Sequence, residues 1–414
     1  MERLAIDGGT PVRARPFPGV LEPGGRTFGE QEREAVLAVL DSAVLNATCG
    51  GPWLEDLESA MARLHGVPHA VACSSGTAAL HLAVAAVDPE PGDEIITTPL
   101  TDFGTVIAIL AQNAVPVFAD VDPATGNLTV ESVRACLSPR TRAIVVVHLF
   151  GAAAPVRELR ALADEHGIVL IEDCAQAYLA RPPGDGRPVG GYGHAGCFSL
   201  QQYKHVTSGD GGLVITSDAA LAERMRLFAD KAWPREDGRT HLFLAMNYRM
   251  TNLTAAVAGV QLRRLPGVVR QRRQLATRLC DAVAGLEGVR MPANPHDHAW
   301  WVVPLILPGG GNQRWAQALT AEGVTAHAGW LKMPVYRYPA LAQRRTYGRS
   351  GFPLTSPPAR HEWHYPPGLC PEAERLIEHT LVMLPWNENY TTSDVDDIAA
   401  AVRKVHAASK HGVF

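Results

Sequence analysis

The sequence predicts an α/β protein with a mixed but largely parallel sheet and helices on both faces. Seven short strand-like runs, at residues 69–74, 94–99, 115–121, 143–150, 169–173, 195–200 and 213–216, form the first observation. Helical runs at 78–87, 130–137 and 156–166 fall between them, which is the second. The third is a spacing: Asp173 and Lys204 each follow a strand-like run, about 30 residues apart, the usual size of a strand-plus-crossover unit.

Taken in order, the first strand run leads into Cys73-Ser74-Ser75-Gly76-Thr77-Ala78-Ala79-Leu80. Small residues at a strand-to-helix turn expose backbone N–H groups at a helix N-terminus, an anion site. Gly76 and Thr77 suit a phosphate there, although Ser-Gly-Thr is also an ordinary helix cap. The run Gly167-Ile168-Val169-Leu170 continues into Ile171-Glu172-Asp173 and reads as a fully buried strand. Asp173 ends that strand, where ligands of open α/β sheets collect. A carboxylate there can keep a pyridine nitrogen protonated, while Glu172 faces the other way on the pleat.

Lys204 follows the sixth strand run and precedes the glycine-rich turn Gly209-Asp210-Gly211-Gly212. The other lysines of this arginine-rich chain are Lys231, Lys332, Lys404 and Lys410. A lysine kept against such a bias needs a reason specific to its amine, and Schiff-base formation, closed to arginine, is one. Ser199, five residues earlier, offers a hydroxyl to the same phosphate.

Beyond the sheet, an arginine-rich helical stretch at 253–286 is expected to kink or break at Pro266-Gly267. It bridges to a second, smaller C-terminal α+β domain that starts near Gly288 and contains a strand-like run at 300–307. The domain reading is a large cofactor-binding domain with an N-terminal arm at 1–260, then the bridging helix and small domain at 261–414. Residues 347–367 read as loop. His361 and His364, with Pro366 and Pro367 close behind, read as loop residues and not as a metal pair. His327 and Trp330 read as packing residues or pocket residues.

At 414 residues, with 46% hydrophobic and 19% charged side chains, the chain has material for two well-packed domains. A formal net charge of -4 provides no basic field for nucleic acid. Seven scattered cysteines, without paired spacing, read as buried thiols in a reducing compartment. No run approaches the ~20 apolar residues of a membrane span, and a cytoplasmic enzyme is expected.

The order of these segments resembles the DegT/StrS family of pyridoxal-phosphate-dependent sugar and cyclitol aminotransferases. The resemblance runs from Asp7-Gly8-Gly9-Thr10-Pro11, like the opening of antibiotic-pathway members, through Ser75-Gly76-Thr77, Glu172-Asp173-Cys174-Ala175-Gln176-Ala177 and the Lys204 segment. It continues over Asn247-Tyr248-Arg249-Met250-Thr251-Asn252 to Leu384-Pro385-Trp386. It implies the type I aminotransferase fold, with a mostly parallel seven-stranded sheet in the large domain. Lys204 would be the Schiff-base lysine and proton shuttle, with Asp173 on the pyridine nitrogen and Gln176 near the ring's phenolic oxygen. Gly76, Thr77 and Ser199 would hold the phosphate. Asn247 would reach the phosphate of a neighbouring subunit's cofactor, which makes the active unit a homodimer. The implied reaction transfers an amino group from glutamine or glutamate to a keto sugar or keto cyclitol.

One position departs from the family. Relatives usually carry a ring-stacking aromatic directly after the threonine of Pro99-Leu100-Thr101; here Asp102 stands there and Phe103 follows. Asp102 either faces cofactor and substrate or caps the next helix. Two alternatives stay open: altered chemistry on the same cofactor (lyase, dehydratase or oxidase), and a non-catalytic sensor. Members that dehydrate sugars replace the lysine, so the presence of Lys204 weighs against dehydration.

Overall fold

A computed structural model describes residues 2–235 and 238–410. Seven strands form its larger sheet: β1 (His69–Cys73), β2 (Glu94–Thr97), β3 (Val115–Phe118), β4 (Thr141–Val147), β5 (Val169–Asp173), β6 (Ala195–Ser199) and β7 (Gly212–Thr216). Their spatial order is β1-β7-β6-β5-β4-β2-β3. Only β7 runs against its neighbours, antiparallel to both β1 and β6; the pairs from β6 to β3 are parallel. The carboxyl ends of β1, β2, β5 and β6 therefore open on one edge, where ligands of such sheets gather.

Alternate residues of each strand feed opposite cores, as a sheet covered on both faces requires. On β4, Val145 packs with α3 (Gly76–Val87), α4 (Phe103–Ala111) and α7 (Ala219–Ala229). Its neighbours Ile144 and Val146 face α5 (Val130–Cys136) and α6 (Val156–His166). Further along that second face lie α2 (Trp53–His65) and α8 (Asn252–Val283). The preceding helix, α1 (Glu30–Ser42), packs on α8, where Glu32 meets Arg264 at 2.9 Å.

The helix α8 spans 32 residues without interruption, against the break expected at Pro266-Gly267. Pro266 is exposed while Leu262, Leu265 and Val269 are buried on either side of it. The backbone bond it deletes is thus lost on the wet face, where water replaces it, and the buried stripe holds the helix together.

A second sheet, ordered β8-β10-β9, is antiparallel and comprises β8 (Val302–Ile306), β9 (His327–Ala328) and β10 (Leu381–Pro385). The strand-like run expected at 300–307 begins only at Val302, because Trp300 has a positive φ of 55° and turns the chain into it. Its core joins the end of α8, α9 (Asn312–Ala321) and the C-terminal helix Thr392–Lys410. Leu4 is buried in that core too, and Arg13 pairs with Asp394 and Asp397, each at 2.8 Å. All seven cysteines are free thiols; Cys49 is exposed, contrary to the expectation that all are buried, because it sits on a surface turn. No described helix is long and apolar enough to cross a membrane.

Candidate active site

Residues at and just beyond the ends of β1, β2, β5 and β6, the N-terminal segment 16–22 and parts of the second sheet with its loops line a cavity of about 880 Å³. It is lined by Gly76, Thr77, Asp102, Asp173, Gln176, Ser199 and Lys204, seven of the eight residues singled out from the sequence. The eighth, Asn247, is exposed, pairs through its backbone with Asp230, and does not line the cavity of its own chain.

Beside β1, Ser75 caps α3 by accepting from the Ala78 N–H at 3.0 Å. The N–H groups of Gly76 and Thr77 stand in the first turn, where no helix carbonyl can reach them. Ser199 closes the opposite side. A Cβ at Gly76 would lie 2.6 Å from Ser199 Cβ and 2.8 Å from its Oγ, so only glycine permits this approach. The result is a compact nest of donors backed by a helix dipole.

Asp173 ends β5, with Oδ1 accepting from the Ala175 N–H at 3.1 Å and Oδ2 from the Thr105 hydroxyl at 3.0 Å. Burial raises its pKa above the ordinary 3.8, against the Ala175 bond, the Lys204 charge and the Thr105 bond. Burial likewise lowers Lys204 from 10.5, while Asp173 and Asp102 pull the other way. The amine lies 4.7 Å from the Trp301 ring centroid. Burial thus works against the charged form of both groups in this one cleft, a pattern frequent at functional sites.

Gln176 spends its side-chain oxygen on the Phe150 N–H at 2.8 Å, leaving its amide nitrogen for the cavity. Asp102 caps the next helix and also lines the cavity. One oxygen caps α4 by accepting from the Gly104 N–H at 2.8 Å, and the residue is exposed on the cavity wall beside Lys204. Phe103 packs behind, 5.6 Å from the Tyr338 ring. Glu172 does face away from the cavity. Burial alone would raise its pKa, but the bond from His148 Nε2 at 3.0 Å and those from the Gly193 and Gly190 N–H groups hold it below 4.5. His148 Nδ1 accepts from the Ala154 N–H, so the grouping of His148, Glu172 and Cys174 already uses its donors and acceptors to pin loops.

Pyridoxal phosphate fits these residues. The nest at Gly76, Thr77 and Ser199 matches its phosphate, the Asp173 carboxylate its ring nitrogen, and the Lys204 amine its aldehyde.

For the wall opposite the sheet the sequence carried only an undecided signal. His327 and Trp330, left undecided before, both line the cavity. Trp301 donates from its indole nitrogen to the Tyr203 carbonyl at 2.7 Å. Arg26 donates to the carbonyls of Gln202 at 2.5 Å and His205 at 3.3 Å, on either side of Lys204. Glu388 ties Arg26 to Arg272, 3.8 and 2.6 Å away, and Arg272 donates to the Trp300 and Trp301 carbonyls at 3.0 and 3.2 Å. Three carbonyls around Lys204 are thus held from outside the large sheet. The residues doing so lie about 100 to 180 positions away, beyond any local pattern.

Comparison with known proteins adds four findings. The DegT/DnrJ/EryC1/StrS aminotransferase family model matches residues 26–360. L-glutamine:2-deoxy-scyllo-inosose aminotransferase of Streptomyces kanamyceticus is 36% identical, over 97% of this chain and 96% of that protein. GDP-perosamine synthase of Vibrio cholerae is 33% identical over 67% of this chain and 74% of its own. Among solved structures, the aminotransferase TlmJ from Streptoalloteichus hindustanus superposes with a TM-score of 0.78 at 31% identity, covering 93% of this chain and 98% of that one. With a family match over most of its length and the fold of these enzymes, this chain belongs to the DegT/DnrJ/EryC1/StrS aminotransferases and is a pyridoxal-phosphate-dependent enzyme of type I fold.

Proposed function

We propose that the enzyme moves an amino group from glutamine to a keto sugar or keto cyclitol in secondary-metabolite biosynthesis, working as a homodimer. The observation that carries this reading is the shared cavity of Lys204 and Asp173 beside the anion nest. Glutamine as donor and a ring ketone as acceptor are supported by the printed activity of the Streptomyces kanamyceticus relative.

When bound, the cofactor supplies an aldehyde to carry the amino group and a ring to take up the electron pair left at the donor's Cα. The protein's own residues do the rest. Lys204, its amine biased toward the neutral form by burial, would accept the proton from the donor's Cα and return it to the carbon on the other side of the intervening nitrogen. Asp173 keeps a carboxylate against the ring nitrogen, oriented by Thr105 and Ala175. The N–H groups of Gly76 and Thr77 and the Ser199 hydroxyl would hold the phosphate, and the Gln176 amide would serve the phenolic oxygen. Asn247, outside its own cavity, serves the phosphate in a partner subunit.

The purified, cofactor-loaded enzyme should show a visible absorbance band that Lys204→Ala abolishes. Glutamine should bleach that band without any ketone present. A Lys204→Ala protein with wild-type turnover sinks the reading, and ammonia release or oxygen uptake in step with bleaching would assign altered chemistry instead.

A further inference from the structure

Trp330 stands between two cavities. Behind the active-site wall, α9, β9 and the turn after β9 line an open groove of about 820 Å³, with Gln317, Thr320 and Lys332 on its sides. Among the described residues, His327 and Trp330 line both this groove and the cavity that holds Lys204. His327 is exposed, whereas Trp330 is half-buried and wedged between two rings. Its indole meets Phe150, just beyond β4, at 76° with centroids 5.3 Å apart, and Trp301 at 82° and 5.9 Å. Both contacts are edge-to-face, a geometry that aromatic pairs favour.

The backbone shows that this ring is held in place. Trp330 has a positive φ of 57° and Phe150 one of 58°, a region that bulky side chains rarely occupy. The turn is also pinned from the second sheet. The Gly329 N–H donates to the Leu381 carbonyl at 2.8 Å, and a Cβ at Gly329 would lie 2.2 Å from the Ile377 carbonyl oxygen. Strained backbone persists only where its surroundings enforce it, and such residues gather at ligand clamps. Trp301 ties the indole to the reacting amine, its own ring 4.7 Å from Lys204. A group that extends from Lys204 past Trp301 toward the groove meets a fixed ring first.

We propose that Trp330 is a specificity-determining residue, a wall that admits one ring at the reacting amine and refuses a second ring in line with it on the groove side. This rests on the aminotransferase reading above and sets the size of acceptor that the site takes. Space for a second ring exists in the groove, and the indole denies access to it. Specific sites reject wrong partners by such built-in clashes. Phe150, Trp301 and Trp330 all belong to one chain, so a partner subunit alters the outcome only by covering the groove.

The test uses cofactor-loaded enzyme in its native assembly and no substrate. An alkoxyamine takes the cofactor's aldehyde carbon from Lys204: a new C=N bond forms to the reagent, the lysine leaves as the free amine, and the visible band is lost. O-benzylhydroxylamine carries one ring, and O-(4-phenylbenzyl)hydroxylamine carries two in line. Trp330→Gly removes the indole and suits the positive φ. In that variant the two-ring reagent should discharge the band at least about tenfold faster than in the wild type, and the one-ring reagent less than about twofold faster. Trp330→Phe should raise the two-ring rate by a smaller margin, and it carries the comparison if the glycine variant does not fold. An unchanged two-ring rate overturns the proposal, whether the cavity turns another way or a partner subunit closes the groove. An equal rise for both reagents reports a loosened site and overturns it too. Failure of the aminotransferase reading shows separately, as a band that glutamine does not bleach, because the two reagents need the cofactor alone.

Discussion

At Lys204, two opposed effects meet. Burial disfavours its charged form, and the carboxylates of Asp173 and Asp102 favour it; burial wins, so the amine loses its proton at a lower pH than an ordinary lysine at 10.5. Asp102→Asn removes one of the two opposing charges and should lower the value further. In cofactor-free enzyme, the pH midpoint for modification of Lys204 by an amine-directed reagent should fall below 10.5 in the wild type and lower still in the variant. A midpoint that rises on substitution contradicts the assignment. The same shift sets a folding cost of known sign. As pH falls below 10.5 the unfolded chain gains a proton that the folded one resists, so stability drops until the folded value is passed. Binding chemistry at this amine is thus gained at the expense of the empty fold.

The elements around that residue are joined by a buried ion triad. Glu388 lies between Arg26 and Arg272, and other donors of the two arginines hold the backbone on both sides of Lys204 and at Trp301. Glu388→Gln leaves two buried guanidiniums without a counter-charge, a loss of about 3–5 kcal/mol in folding stability. Because the carbonyl of Gln202 then loses its fixed partner, kcat should fall at least about tenfold with the donor KM nearly unchanged. Normal kcat in the folded fraction would reduce the triad to a packing feature. Helix α8 offers a simpler case. Its Pro266 deletes one backbone bond on the exposed face, so Pro266→Ala should raise stability by about 1–3 kcal/mol in denaturant titration. A decrease would mean that the proline ring packs against something in the assembled molecule.

Across the whole molecule, the sequence made the sheet legible because each strand of β1 to β7 is an apolar run closed by small or polar residues, and such runs bury on two faces whatever surrounds them. Gly76, Asp173 and Lys204 stood out for a related reason: Asp173 ends β5, and Gly76 and Lys204 follow β1 and β6 within a few residues. Where sequence reasoning failed, at the unbroken α8 and at the late start of β8, the deciding fact was which face met water and how Trp300 turned the chain. The proposed dimer belongs to this scale. Leu242 and Leu244 are 58% and 91% exposed, next to an Asn247 that lies outside its own cavity. If Asn247 serves a partner's site, Asn247→Ala and Lys204→Ala proteins, each nearly inactive, should regain activity when mixed and allowed to exchange subunits. Mixing without recovery, or a monomer with full activity on size-exclusion chromatography, contradicts the shared site.

By itself the amino-acid sequence determined the α/β class, the strand ends and the amine, acid and anion nest placed on them, because these follow from local hydrophobic period and turn chemistry. It also showed the departure at position 102. Only the tertiary structure decided that Asp102 caps a helix and faces the cavity at once, and that Trp301, Trp330 and His327 form the opposite wall. The same holds for the arginines, which are spent on carbonyls behind that wall. The contacts of Trp301 and Arg26 join segments about 100 to 180 residues apart, and side-chain direction at such distances is set by packing, which no local pattern encodes.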